Sequence, residues 1–353
     1  MAPAADRSAD PPDPLDPLRL PIRTTDYHTG GEPFRIVTGG VPPLEGRTVL
    51  RRRRWAREHL DPVRRLLVNE PRGHADMYGG FVTPADDDWG DIGVVFFHNE
   101  GYSTACGHGT IALVTWAIDT GRVAGTVDPN DGTVAVIVDV PSGRLSCTAR
   151  LGPDRRVLAV RFRNVPAFVL VRDMAVRTPR GIVTLDVAYG GAFYASVDAA
   201  AAGLSLEPAG LTTLIALQRE LRPAIERSVH VVHPDEPELA GVYGVIFWER
   251  LADGAQRNVT VFADGEIDRS PCGSGTSARL AVLHARGEIG IGQTFHHRSI
   301  VDSAFEAWII EDGPLVGAYP SVVTEVEGSA YRTGESVFSL DERDPLGTGL
   351  LLR

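Results

Sequence analysis

The chain has 353 residues, 43% of them hydrophobic and 23% charged, a composition that supports the buried core of one large or two ordinary domains. Its formal net charge of -11 argues against nucleic acid or an anionic membrane as the main partner. All 35 basic residues are arginine, which excludes Schiff-base chemistry, where a primary amine is needed, and a lysine-bearing phosphate loop.

Residues 1–20 are rich in proline and aspartate and have neither the apolar core of a secretory leader nor the acid-poor character of a transit peptide. They read as a disordered tail, with folding from about residue 21. No apolar run has the length of a membrane helix. A strand is expected at 34–37, followed by a helix over 51–67. The arginines of that helix, Arg51 to Arg54, Arg57, Arg64 and Arg65, are interrupted by Glu58 and Asp61 and read as a solvated face rather than a nucleic-acid patch. The acidic stretch 85–91 reads as a hairpin turn before a strand at 93–99. Further strands are expected at 133–140, 157–162, 181–190, 244–249 and 258–263, and helices at 211–222 and after Cys106 and Cys272. The order is that of an α+β protein, without regular βαβα alternation. Cys147 alternates like a structural strand residue. His230, His233, His296 and His297 lack a third ligand at metal-binding spacing, so no metal site is expected.

The chain contains an internal repeat. TACGHGTIALVTWAIDTGRV around Cys106 aligns without gaps to SPCGSGTSARLAVLHARGEI around Cys272, pairing Gly107 with Gly273, Gly109 with Gly275, Thr110 with Thr276 and Gly121 with Gly287. Each copy follows a strand and opens a helix that closes at a glycine. The repeat implies two half-chains of similar plan, dividing between residues 145 and 165. The helix of the first copy is apolar nearly all round and must be buried on several sides.

Glycine beside each cysteine lets backbone approach a ligand and leaves helix N-terminal N–H groups available to an anion. A thiol there is expected to titrate below its free value, so that a thiolate forms near neutral pH. Two such N-termini facing each other make a symmetrical site. A substrate carboxylate sits on the N–H groups, one thiolate removes the α-proton and the opposite thiol donates a proton to the other face. That is racemisation or epimerisation by 1,1-proton transfer, and it needs no cofactor, metal or lysine.

The segments DYHTGGEPFRIV (26–37), NEPRGHADMYGG (69–80), ACGHGT (105–110), VPAF (165–168), DVAYGGAFYA (186–195) and DRSPCGSGTSAR (268–279) resemble the proline racemase family, with its 4-hydroxyproline 2-epimerases and trans-3-hydroxy-L-proline dehydratases. The likeness runs through everything after residue 20. It implies a fold of two pseudo-symmetric halves of the diaminopimelate-epimerase type, each a barrel-like sheet around a central helix, with the site in the cleft between them. The halves would span 21–155, completed by 330–353, and 156–329. By matched position, Cys106 and Cys272 become the acid/base thiols, and Gly107, His108, Gly273 and Ser274 hold the substrate carboxylate. Asp268 binds the ring nitrogen, and Tyr78 and Phe262 line the ring pocket. The resemblance also implies a small imino acid, proline or a hydroxyproline, as partner, and it leaves open whether subunits pair as a homodimer; the three widely spaced cysteines, too few for a disulfide framework, read as the reduced thiols of a cytoplasmic protein.

Departures from the family pattern bear on the substrate. Tyr78 stands where typical proline racemases carry Phe and 4-hydroxyproline epimerases a small residue, and the histidine those epimerases place near Gly244 is absent. MYGG, HNEGYS and YGGAFYA resemble the dehydratase branch, which usually replaces the second cysteine with threonine. Two thiols favour a racemase or epimerase, and the surrounding pocket favours a dehydratase. A thiol hydrolase would leave the duplication unexplained, and a non-catalytic imino-acid-binding protein is the remaining alternative.

Overall fold

The computed structural model describes residues 21–352; the tail expected over 1–20 lies outside them. The first half begins with a hairpin of β1 (Ile22–Thr29) and β2 (Glu32–Gly39), turned at Gly30 and Gly31 with φ of 59° and 89°, where a side chain would be strained. It continues through α1 (Val49–His59), α2 (Asp61–Val68), β3 (Tyr78–Thr83), β4 (Ile92–His98), α3 (Gly107–Asp119), β5 (Thr133–Val140), β6 (Gly143–Leu151) and β7 (Val157–Arg163). The second half runs through β8 (Ala167–Thr178), β9 (Gly181–Tyr189), β10 (Phe193–Asp198), α4 (Leu211–Ser228), β11 (Val242–Arg250), β12 (Gln256–Phe262), β13 (Glu266–Asp268), α5 (Gly273–Ala285), β14 (Phe295–Arg298), β15 (Ala304–Asp312) and β16 (Ser321–Gly328). The chain then returns to the first half as β17 (Ala330–Phe338), antiparallel to β1.

Strand pairing repeats between the halves. In the first, β2 pairs parallel to β3, β3 antiparallel to β4, and β4 parallel to β5 across the connection that carries α3. In the second, β10 pairs parallel to β11, β11 antiparallel to β12, and β12 parallel to β14 across the connection that carries α5. In the second half the sheet closes on itself, because β16 pairs with β8; the same strand pairs with β7 and so joins the two halves into one sheet. The architecture is the expected one, α+β with a barrel-like sheet wrapped around one helix in each half.

Of the central helices, α3 follows from its apolar circumference, whereas α5 also buries Thr276, Ser277 and Arg279. Every residue of α3 from 107 to 117 is buried, and so is every residue of α5 from 273 to 283. Side chains such as Ile111, Leu113, Leu280 and Val282 each contribute about 1.5–3 kcal/mol by leaving water. Both helices stop at glycines in the left-handed region, Gly121 at φ 68° and Gly287 at φ 70°.

Two expectations are corrected. The single helix over 51–67 is two helices that break at Leu60, because Pro62 can start a helix but not continue one. Its arginines are also not uniformly solvated. Arg52 is buried and donates to the carbonyls of Gly46 and Pro84, and buried Arg64 donates to the carbonyls of His98 and Asn99. The 85–91 segment is the turn between β3 and β4: Asp86 accepts from the Val49 N–H, Asp87 from Arg144 and Asp91 from the Ile137 N–H. Among the described residues, no helix is long and apolar enough to cross a membrane.

Candidate active site

Helices α3 and α5 meet N-terminus to N-terminus at the junction of the halves. The contact is backbone to backbone: a Cβ added at Gly107 would lie 2.6 Å from the Gly273 Cα, and one at Gly273 would lie 2.8 Å from the Gly107 Cα. A side chain at either position would force the two helix ends apart. Gly109 and Gly275 are constrained by the sulfurs, since a Cβ there would lie 2.7 Å from Cys106 Sγ and 2.9 Å from Cys272 Sγ respectively. The repeat extends to hydrogen bonds. Thr110 and Thr276 each donate from Oγ1 to the carbonyl of their own motif's cysteine, at 2.9 Å in both cases.

Between the two ends is a small cavity of about 10 Å³, room for about one water molecule. Its walls include all nine residues expected from the sequence, namely Cys106, Gly107, His108, Cys272, Gly273, Ser274, Asp268, Tyr78 and Phe262. Cys106 caps α3, with its Sγ accepting the Gly109 N–H at 3.2 Å. Cys272 reaches the cavity from a left-handed backbone (φ 63°, ψ 91°), a conformation that costs a β-carbon-bearing residue of order 1–3 kcal/mol. The N–H of Cys272 donates to Ser270 Oγ at 3.1 Å, and the N–H of Ser270 donates to Asp268 Oδ1 at 2.8 Å, which fixes that turn.

The expectation of a lowered thiol pKa is corrected. Burial pushes both Cys106 and Cys272 above the usual thiol range, and the nearby carboxyl of Asp268 adds to the shift. The helix N–H groups of Gly109 and Gly275 pull the other way but are outweighed, because both cysteines are buried away from water. Burial also raises Asp268 to about 6 and lowers His108 to about 3, so that its imidazole is neutral. The two imidazole nitrogens of His108 lie 3.4 and 3.5 Å from Cys106 Sγ.

The wall that would face a substrate ring is aromatic with polar tips. The ring of Tyr243 stacks on Phe262 with centres 5.5 Å apart. The hydroxyl of Tyr78 meets that of Tyr243 at 2.8 Å and donates to Ser103 Oγ. Tyr194 and Tyr243 also line the cavity, and both were missed in the sequence reading. Tyr194 lies within the DVAYGGAFYA segment, and the likeness of GGAFY to GGEPF near β2 is the signal that marks it. Tyr243 carries no comparable signal. The histidines set aside as metal ligands prove partly structural. His297 is fully buried between Asn258 Nδ2 and Thr276 Oγ1, at 2.9 and 2.8 Å, and so braces the start of α5. Cys147 is buried in β6, paired with Val136 and Phe162.

The sequence model of the proline racemase family matches residues 24–351. A 3-hydroxyproline 2-epimerase of Burkholderia multivorans is 45% identical over 335 residues, which are 94% of this chain and 98% of that protein. A trans-3-hydroxy-L-proline dehydratase of Burkholderia cenocepacia matches with the same identity and coverage. Among solved structures, a hydroxyproline epimerase from Agrobacterium vitis with bound trans-4-hydroxy-L-proline superposes with a TM-score of 0.86 at 32% identity, over 94% of this chain and 96% of that one. A phenazine biosynthesis protein of the PhzF family from Bacillus anthracis, 10% identical with a TM-score of 0.54, shares the fold. With its duplicated cysteine motif at the seam of two barrel-like halves, this chain belongs to the proline racemase family.

Proposed function

We propose that this chain is a cofactor-independent epimerase that inverts the α-carbon of a 3-hydroxyproline. The observation that carries the reading is the presence of two cysteine thiols, one from each half, in the walls of one cavity at abutting helix N-termini. The substrate carboxylate is held by the N–H groups of Gly107, His108, Gly273 and Ser274, which no intrahelical carbonyl can reach. The secondary ammonium is held by Asp268, and the ring rests on Tyr78 and Phe262. One sulfur, as thiolate, takes the α-proton while the other, as thiol, delivers a proton to the opposite face, so the pair carries one proton before and after the reaction. The burial that raises the thiol pKa values makes the thiolate a stronger base, which the weakly acidic α-carbon requires. Charge that develops on the carboxylate is stabilised by the same pre-aligned N–H groups. Free thiols at Cys106, Cys147 and Cys272 suit a reducing compartment, which we take to be the cytoplasm.

A second reading is dehydration of trans-3-hydroxy-L-proline to a cyclic imine. It is favoured by the phenol hydroxyls of Tyr78 and Tyr243 at the ring wall, which supply polar partners for a ring hydroxyl, and by the dehydratases among the relatives. Incubation with trans-3-hydroxy-L-proline in D2O separates the two. Epimerisation gives α-deuteration with inversion and an intact 3-hydroxyl, whereas release of the 3-hydroxyl without inversion assigns the dehydratase. Replacement of Cys272 by serine is expected to abolish inversion; inversion at the wild-type rate would overturn the two-base mechanism.

A further inference from the structure

The duplication extends beyond the cysteine motifs to the hairpins that flank them. TGGEPFRIV at 29–37 and YGGAFYASV at 189–197 align Gly30 with Gly190, Gly31 with Gly191 and Phe34 with Tyr194. The β1–β2 and β9–β10 hairpins occupy corresponding places, each followed by a parallel pairing of its second strand. The cysteine motifs align His108 with Ser274. Each half thus sets one strand aromatic beside the side chain two residues beyond its cysteine. In the first half Phe34 meets His108 edge-on, ring centres 5.9 Å apart, and the imidazole of His108 lies against Cys106 Sγ. In the second half the Tyr194 hydroxyl is 2.7 Å from Ser274 Oγ and 3.7 Å from Cys272 Sγ. The motif's own helix thus supplies a polar ring beside Cys106, whereas beside Cys272 the polar ring comes from the strand, with Thr260 and Asp268 also facing that sulfur.

We propose that Tyr194 is a positioning residue for Cys272: with Ser274 it forms a rotatable hydroxyl chain that serves this sulfur in both protonation states, as the His108 imidazole serves Cys106. The inference rests on the two-thiol reading above. When Cys272 is a thiol, its S–H donates to the Tyr194 oxygen and the phenol donates to Ser274. When Cys272 is a thiolate, the two hydroxyls turn, Ser274 donating to Tyr194 and Tyr194 to the sulfur. No proton leaves the chain; only the direction of donation reverses. Tyr194 is about 1% exposed, so water is no ready substitute for its hydroxyl. Because Phe34 holds the matching place in the first half, Tyr194→Phe keeps a ring that such a site accommodates and removes only the hydroxyl.

The test follows α-deuterium wash-in from D2O into trans-3-hydroxy-L-proline and its 2-epimer across pH, in single-thiol backgrounds. With Cys106→Ser, Cys272 is the remaining motif thiol. Adding Tyr194→Phe is expected to raise the apparent pKa of wash-in by about one unit, and to slow it about tenfold near neutral pH, because one donor to the thiolate is gone while the Gly275 N–H, the Thr260 hydroxyl and the Asp268 carboxyl still face it. Ser274→Ala in the same background gives a smaller shift in the same direction. With Cys272→Ser, Tyr194→Phe is expected to leave the apparent pKa of the remaining thiol in place. Equal displacement in both backgrounds, or none with Cys106→Ser, overturns the inference while the two-thiol reading stands. Absence of wash-in by the folded wild-type protein with either epimer overturns that reading and the inference with it.

Discussion

Asp268 titrates where an ordinary aspartate would already be fully ionised. Burial lifts it from 3.8 to about 6, against the opposing hydrogen bonds of Ser270. If its carboxylate holds the substrate ammonium, the free protein loses its binding form as the pH falls through about 6, and kcat/KM is expected to fall with it. Asp268→Asn should lower kcat/KM about a hundredfold and remove that acid limb, which a pH profile of both proteins checks. The same shift acts on stability with a definite sign. A carboxyl whose folded pKa is raised binds its proton more tightly in the native state, so its contribution diminishes as the pH rises from about 4 to about 6. The cysteines were legible as residues because glycine on both flanks of a helix start is a constrained pattern that occurs twice. Their ionisation was not, since it is decided by their burial in the folded chain, a tertiary event to which local spacing is blind. Tyr243 was hidden for a similar reason: a lone aromatic on a strand gives no hint that its hydroxyl meets Tyr78 from the other half.

At the scale of elements, the decisive contact is the meeting of α3 and α5. Its closeness depends on two missing side chains, so Gly107→Ala forces a β-carbon to within 2.6 Å of the Gly273 backbone. Backbone cannot swing aside as a flexible side chain can, and the halves must separate there. Overpacking of this kind costs about 1–3 kcal/mol, while misplacing the sulfurs by even an ångström should cost activity about a hundredfold. The expected result is therefore a protein that still folds, with a modestly lower melting temperature and nearly abolished turnover. Retention of full activity would show that the two helix ends need not touch. The strand positions and α3 were legible because apolar runs of strand length and a helix apolar nearly all round are strong local signals, while α5, which carries Arg279 and three hydroxyl side chains before it, was legible through the repeat of the cysteine motif. The helix break was less so: the apolar periodicity over 51–67 continues across Pro62 and masks the stop that the proline imposes at Leu60. The buried arginines were misread because a charge run carries no record of the carbonyls that will surround Arg52 and Arg64 once α1 and α2 dock on β3 and β4.

The duplication suggests two bodies with a cleft, yet the molecule is stitched as one. Strand β16 of the second half pairs with β7 of the first, and β17, which follows it, pairs with β1. Arg269 pairs with Glu32 and Asp76 across the junction, buried His98 with Glu266, and Ser303 donates to the Gly30 carbonyl. Such seams pair residues far apart in sequence, which is why the repeat exposed the plan of each half but not the join between them. Unfolding either half would strip strand partners from the other and break the hydrogen bonds of the junction. The two halves are therefore expected to unfold together, although a chain of this length often melts in stages. Scanning calorimetry should show one transition with a calorimetric enthalpy of roughly 250 kcal/mol, from about 0.7 kcal/mol per residue near 60 °C, equal to its van't Hoff enthalpy. Two resolved transitions, or a calorimetric enthalpy near twice the van't Hoff value, would show that the halves fold independently. In that case the continuous sheet would be a weak hinge, and the alignment of the two thiols would depend on ligand rather than on the fold.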